Sequence, residues 1–252
     1  MKRRSIIKAG ALAGLPASLA LPFAAMAQEK APMRLLVGFP PGASSDSLAR
    51  VLAERIGPEL RQSVLVDNKP GAAGRIAAEL LKNAPPDGNT IMLCPIVVTV
   101  LAPMVFSKLP YNPGTDFAPI AQLATIDFGL AVNASHPARN VNELITWMRA
   151  NPQQGNFGTP GAGSLPHFFG VMLAKAAGVD LVHVPFQGGA QSMTALLGNQ
   201  VTCIFDTMTD LIEQHKAGKA RILARASIRR NDVVPEVLTF VEPGLRDAQG
   251  GT

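Results

Sequence analysis

The sequence carries little charge and few aromatic residues. Only 16% of the 252 residues are charged and 5% are aromatic, whereas 47% are hydrophobic. Lys2, Arg3, Arg4 and Lys8 supply four of the five net positive charges, which leaves the rest of the chain close to neutral. No basic stripe with interleaved aromatic side chains remains. The composition therefore argues against nucleic-acid binding and favours a packed globular core.

Residues 1–27 have the pattern of an export signal. A basic head, Met1–Lys8, precedes an apolar stretch that ends in Ala25-Met26-Ala27, which fits the small-x-small cleavage rule. The pattern predicts cleavage near Ala27 and a periplasmic protein, exported by a twin-arginine-like or a general secretory route. Beyond residue 30, no apolar run approaches the ~20 residues that a membrane span needs.

Motifs that carry catalysis or hold a cofactor are missing as well. The chain has no G-x-S-x-G, Walker or H-E-x-x-H segment, and Gly158 to Gly163 does not complete a G-x-G-x-x-G fingerprint. Its two cysteines, Cys94 and Cys203, either pair in an exported protein or remain separate buried thiols, and no Cys or His pair has metal-ligand spacing. We therefore expect no enzyme activity, no metal and no cofactor. The enzymatic alternative is a periplasmic hydrolase that uses Ser164 and His167.

Short apolar runs alternate with helical patterns from residue 33 onward, which predicts an α/β fold with parallel-rich sheets flanked by helices. Because the alternation restarts near residue 128, we expect two lobes, one of residues 31–128 plus 227–252 and one of residues 129–226. The predicted strands are Met33–Phe39, Val64–Asp67, Thr90–Cys94, Phe128–Asn133, Asn156–Thr159, Leu181–Pro185, Val201–Phe205 and Arg221–Ala226. The predicted helices are Asp46–Arg61, Gly74–Asn83, Val141–Ala150, Leu165–Ala177, Gln191–Leu197 and Leu211–Ala217.

Two loops, 39–46 and 158–164, follow predicted strands and lead into predicted helices. Ligands of open α/β sheets bind at that edge, and free backbone N–H groups at a helix start attract anions. Neither loop contains Arg or Lys, so an anion there would be held by amides, hydroxyls and water. Such residues are also ordinary in βα loops. The candidate binding residues are Phe39, Gly42, Ala43, Ser44, Ser45, Asp46, Thr159, Gly161, Ala162, Gly163 and Ser164.

A third glycine loop and two isolated polar residues complete the candidate site. Phe186, Gln187 and Gly188 again lie between a strand and a helix, where Phe186 either walls a cleft or packs in the core. Asp206 follows a strand and either accepts a hydrogen bond from a ligand or caps a turn. His167 lies at the start of the helix after the second loop, close to a bound ligand or in a structural role.

These loops resemble those of a known family, the periplasmic receptors of tripartite tricarboxylate transporters, also called Bug receptors. The resemblance rests on VGFPPGASSD (37–46), VDNKPGAAG (66–74), APPDG (84–88), FGTPGAGS (157–164) and HVPFQGG (183–189), in this order. It implies a two-lobed periplasmic binding protein of type II, with a Venus-flytrap hinge. It also implies that the loops at 39–46 and 158–164 grip a ligand carboxylate, with Phe39 and Phe186 along the cleft and Asp206 helping to choose among ligands.

The resemblance further implies a monomer that binds a small carboxylate, such as a dicarboxylate, tricarboxylate, amino acid or aromatic acid, and delivers it to a cognate membrane permease or to a sensor kinase. Three departures qualify it. Ala43 and Ala73 replace glycines usual in the family, and Arg225 replaces a small apolar residue. The match is also expected to end near Gly244, whereas family chains continue and complete the first lobe. A truncated first lobe is therefore expected. The alternatives are a periplasmic hydrolase, a sensor partner and a non-functional fragment.

Overall fold

In the computed structural model, which describes residues 31–242, the first half of the chain builds a small parallel sheet. Its strands have the order β2-β1-β3, so that only β1 is flanked on both sides. Alternate residues of β1 face opposite helices: Leu35 and Val37 pack with Ala49 of α1, and Leu36 faces the other way. The elements are β1 Met33–Val37, α1 Ser44–Leu60, β2 Val64–Asn68, a 3₁₀ turn Ala72–Gly74, α2 Arg75–Lys82 and β3 Thr90–Leu93.

The second half builds a large sheet with the strand order β6-β5-β7-β4-β8. Strand β5 runs parallel to β6 and β7, whereas β4 runs antiparallel to β7 and β8. Its elements are β4 Phe128–Asn133, α5 Val141–Ala150, a 3₁₀ turn Pro152–Gln154, β5 Asn156–Thr159, α6 Leu165–Ala177, β6 Val182–Pro185, α7 Gly189–Leu197, β7 Cys203–Thr207, α8 Met208–Lys216 and β8 Ala220–Arg225. The predicted α/β fold with helix-flanked, parallel-rich sheets is confirmed.

The core lies mainly on the two faces of the large sheet. Phe157 and Phe205 are fully buried on one face, and Leu196 and Ile204 on the other. Helix α6 approaches β5 closely because Gly170 lies against Phe157: a Cβ on Gly170 would be 2.0 Å from the ring. This packing fixes the start of α6, and with it the loop that precedes the helix.

The sequence did not predict the helical stretch between β3 and β4. Val97–Leu101 forms a π-helical turn that continues into α3, Ala102–Val105, and a further short helix, α4, spans Pro113–Asp116. Tyr111 anchors the stretch because its hydroxyl donates to the carbonyl of Val98 at 3.1 Å. Residues 118–126 are exposed to solvent and connect this stretch to β4.

Residues 228–242 lie elsewhere than we expected. The sequence assigned 227–252 to the first lobe, but Val234 and Val237 pack on one face of the large sheet and Phe240 on the other. Backbone hydrogen bonds hold this tail, since the N–H of Arg225 donates to Leu238 and Arg225 accepts from Phe240. Burial of these three apolar side chains stabilises residues 228–242 against the large sheet.

Some predictions fall outside the described residues. These are the export signal, its cleavage near Ala27 and the residues from 243 onward. Within residues 31–242, no helix is both long enough and apolar enough to cross a membrane.

Candidate functional site

The loop between β1 and α1 is organised around the buried carboxylate of Asp46. Its oxygens accept from the N–H of Gly42 at 2.9 Å, from Nε of Arg50 at 2.9 Å and from Nδ2 of Asn68 at 3.0 Å. Burial acts to raise the pKa of Asp46, but these donors outweigh it and hold the pKa below its usual value. Asn68 also donates to the carbonyl of Phe39 at 3.0 Å. The side chain of Asp46 thus shapes the loop from inside.

The remaining candidates of this loop lie at the start of α1. Gly42 adopts a φ of +84°, which favours glycine, and Ala43 is the N-cap residue with no side-chain hydrogen bond. Ser44 and Ser45 form the first turn and are half-buried. Ala43 offers no capping group. Among the described residues, the carboxyl group of Asp210 accepts the N–H of Ser44, which leaves the N–H groups of the next two residues open to other acceptors.

The loop between β5 and α6 is closed by its own hydroxyls. Ser164 donates to the carbonyl of Gly161 at 2.7 Å, and Thr159 donates to the same carbonyl at 3.2 Å. Both hydroxyls are buried, while Ala162 is exposed at the tip. The hydroxyl of Ser164 is therefore engaged with backbone, and the Ser164–His167 pair that a hydrolase requires is not formed.

Two stacked imidazoles lie behind this second loop. The rings of His167 and His183 are 3.9 Å apart at 20°. His167 accepts the N–H of Gly163 through Nδ1 at 3.2 Å, and Nε2 of His183 lies 2.6 Å from Oγ1 of Thr159. Burial lowers the pKa of both rings, and His167 lowers that of His183 further, to about 4. Neutral imidazoles thus hold the loop; the sequence singled out His167 but missed His183.

The third loop is tied to the second. The N–H of Phe186 donates to the carbonyl of Thr159 at 2.9 Å, and a Cβ on Gly158 would lie 2.9 Å from the Phe186 ring. The ring also packs against a core cluster on the large sheet. Gln187 is exposed, and its N–H donates to Oε1 of Gln191 at 3.1 Å. Phe186 therefore belongs partly to the core and partly to the loop surface.

Loops from the two sheets meet at three points. A Cβ on Gly161 would lie 3.3 Å from that of Ala73, and one on Gly188 would lie 2.7 Å from Cδ of Pro40. The hydroxyls of Ser44 and Thr207 are 3.3 Å apart. The structure therefore brings the first, second and third loops to one junction, at the carboxyl ends of β1, β5 and β6.

Two carboxyl groups lie at this junction, that of Asp206 on β7 and that of Asp210 on α8. Asp206 is 1% exposed, and it accepts from Ser192 at 2.8 Å and from the N–H of Thr207 at 2.8 Å. Burial, with Asp210 nearby, raises the pKa of Asp206 to about 7. Asp210 accepts from the N–H and hydroxyl of Ser44 and from Thr207, while burial raises its pKa. A carboxylate thus already approaches the start of α1 across the junction.

Arg75 and Phe106 also reach the junction, although the sequence pointed to neither. The guanidinium of Arg75 lies over the Phe106 ring, 3.8 Å from its centre. A Cβ on Gly163 would lie 3.0 Å from that ring and 3.6 Å from Nη1 of Arg75. Among the described residues, no group of three or more His, Cys, Asp or Glu is arranged to hold a metal ion.

A family model described as the tripartite tricarboxylate transporter family receptor matches residues 48–250. The chain belongs to this receptor family. It is thus a solute-binding protein, and the family is one of binding proteins rather than enzymes. The match also extends six residues beyond Gly244, where the sequence analysis placed its end.

Relatives of the receptor are found in several bacteria. A UPF0065 protein of Cupriavidus necator is 35% identical over 97% of this chain and 76% of its own length. A UPF0065 protein of Bordetella bronchiseptica is 34% identical over 85% of this chain and 64% of its own length. Across the curated relatives matched over most of the chain, the receptor spans 62–76% of their length.

Solved structures of similar proteins share the fold. The periplasmic binding protein BugD is 32% identical, with a TM-score of 0.83 over 88% of this chain and 74% of its own. MatC from Rhodopseudomonas palustris, solved with bound malate, is 28% identical with a TM-score of 0.82 over 88% and 76%. A second R. palustris protein, solved with adipate, is 28% identical with a TM-score of 0.84 over 88% and 74%.

Proposed function

We propose that this receptor is exported to the periplasm, where it captures a small organic carboxylate between two lobes and delivers it to a cognate membrane permease. The observation that carries the proposal is the junction of loops 39–46, 158–164 and 186–189. Each loop precedes a helix and follows a strand, and the carboxyl ends of the three strands lie at the same junction. Anions bind at such positions because backbone N–H groups and the helix dipole favour negative charge.

The chemistry of the loops suits reversible capture. Among the described residues, the N-cap residues of α1 and α6 make no capping hydrogen bond, and Asp210 accepts only one first-turn N–H, that of Ser44, so other first-turn amides are available to a ligand carboxylate. Asp46 and the two histidines stand behind the loops and hold their shape without adding a cation. The ligands of MatC and of the adipate-bound relative are dicarboxylates, which supports the same chemical class for this chain.

The proposal is tested by titrating the mature protein with malate, adipate, glutamate and benzoate in a calorimeter. We expect at least one of these acids to bind, and its uncharged amide or ester analogue to bind far more weakly. A protein that unfolds cooperatively yet binds none of the acids would contradict the proposal.

Two glycines provide a matched pair of variants for the same titration. Gly163 and Gly178 flank helix α6 with φ of +78° and +61°, so alanine strains the backbone at both positions. Only Gly163 lies at the junction, where a Cβ would meet Phe106, whereas Gly178 has open space around it. We expect Gly163→Ala to weaken binding by roughly tenfold or more, and Gly178→Ala to leave it unchanged. Equal affinities for the two variants would count against the second loop as the ligand site.

A further inference from the structure

The guanidinium of Arg75 lacks an acceptor in the described part of the chain. Its Nη1 atom is buried without a hydrogen-bond partner, and no described Asp or Glu forms an ion pair with Arg75. Burial lowers the pKa of Arg75, with Tyr111 acting weakly the other way. Arg75 is half-buried, but a buried N–H donor without an acceptor is unfavourable, so Nη1 calls for a partner.

Phe106 does not supply that partner. The aromatic ring covers one face of the guanidinium at 3.8 Å and attracts its charge. The N–H bonds of a guanidinium lie in its plane, however, and a ring beneath the plane leaves them unused. Stacking therefore fixes the orientation of Arg75 while its fork of donors remains directed along the plane.

The neighbours of Arg75 place that fork at the junction of the loops. Nη1 lies 3.6 Å from where a Cβ of Gly163 would be, beside the start of α6. The preceding residue, Gly74, touches the end of β1, since a Cβ on Gly38 would lie 2.4 Å from the Gly74 Cα. Arg75 thus begins α2 where loops of both sheets come together.

We propose that Arg75 is the charged donor that pairs with a ligand carboxylate in this junction, and so sets a preference for ligands with two acidic groups. The inference rests on the proposed function. A planar carboxylate matches two in-plane N–H groups of a guanidinium, while the loop amides are left for the second acidic group. The missing acceptor is then supplied by the ligand, and the bare cation is stabilised only when ligand is bound.

The test compares Arg75→Gln and Arg75→Lys with the wild-type receptor, using malate, adipate and the monoamide of each as probes. We expect Arg75→Gln to weaken binding of the diacids by about tenfold or more and to remove the preference for diacid over monoamide. Arg75→Lys keeps the positive charge but lacks the paired N–H donors of the guanidinium, so it should give an intermediate loss of affinity for the diacids. Arg34→Gln is the matched control, because Arg34 pairs with Asp67 on the exposed side of the small sheet.

The melting temperature of the unliganded protein is a second readout. If Arg75 had a purely structural role, Arg75→Gln would lower this temperature. Since Nη1 lacks a partner, the melting temperature of Arg75→Gln without ligand should equal or exceed that of the wild type. If wild type binds a diacid and Arg75→Gln binds it within about twofold, the inference is overturned and the proposed function stands. If wild type binds glutamate or benzoate but neither diacid, only the inference is overturned; if it binds none of the four acids, both are overturned.

Discussion

The two sheets of this receptor are stabilised in different ways. Of the twelve largest fully buried side chains in residues 31–242, only Leu35, Leu36 and Val37 belong to the small sheet, and the others pack against the large sheet. Conversely, twelve of the sixteen exposed large apolar side chains in the described part of the chain lie between Val51 and Ile126. Apolar burial therefore concentrates in the second half of the molecule, although both halves present loops to the same junction.

The buried carboxyl groups show the reverse pattern. Asp46, on the small-sheet side, has three donors, including Arg50, and its pKa is lowered. Asp206, on the large sheet, has two neutral donors and a second carboxyl nearby, and its pKa is raised to about 7. The small sheet thus relies on a satisfied polar network, whereas the large sheet tolerates an unfavourable charge because its apolar core supplies the stability.

Phe205→Ala should give the largest change in stability. Phe205 is fully buried between Phe157 and Phe240 on the large sheet, so its removal leaves a cavity and should cost roughly 3–5 kcal/mol of unfolding free energy. Urea unfolding measures this cost. Leu65 lies on an edge strand of the small sheet and is 54% exposed, so Leu65→Ala should cost about 1 kcal/mol of unfolding free energy or less. Similar costs for the two variants would remove the contrast between the sheets.

Asp206→Asn should raise stability at neutral to alkaline pH by roughly 2–4 kcal/mol. The folded protein holds a proton on Asp206 up to about pH 7, whereas the unfolded chain releases it near 3.8. Wild-type stability should therefore fall as pH rises from about 4 to about 7, and the asparagine, which can still accept from Thr207, should flatten this part of a melting-temperature profile.

Asp46→Asn is the contrasting variant in the same profile. The pKa of Asp46 in the folded wild type is lowered. The carboxylate therefore contributes to the free energy of unfolding above its ordinary pKa of 3.8, and this contribution is lost as pH falls below that value. We expect this variant to lose about 1–3 kcal/mol at neutral pH, where Asp206→Asn gains stability. If the free energy of unfolding changes in the same direction in both variants at pH 7, the environments of the two carboxyl groups do not have opposite effects on the charged form.

Local pattern was enough to predict the strands and most helices. Strand Phe128–Asn133 and helix Val141–Ala150 have the predicted bounds, because apolar periodicity and the Asn140 cap act within a few residues. The stretch 97–116 was missed because its apolar run resembles neither an amphipathic helix nor an alternating strand. The tail at 228–242 was misplaced because its contacts are with strands far away in sequence.

The sequence predicted which loops form the candidate site, but not the hydrogen bonds and contacts between their side chains and the rest of the molecule. Glycines and hydroxyls after strands were visible in the sequence, and the structure brings those loops together. It also turns the Asp46 carboxylate inward. Arg50, one helical turn away, lies within reach as soon as α1 forms, whereas Asn68 does so only after β2 packs against α1. Arg75 was missed for the same reason: its neighbours, Phe106 and Gly163, are distant in sequence and carry no motif.

The central claim is that backbone amides at the starts of α1 and α6 hold the ligand carboxylate, and amide resonances report on it directly. A ¹⁵N–¹H correlation spectrum of the receptor should be recorded while malate or adipate is added. We predict the largest shifts at the amides of residues 42–46 and 161–165, with little change at the amide of Gly178. Saturable shifts confined to residues outside these two loops would contradict the account.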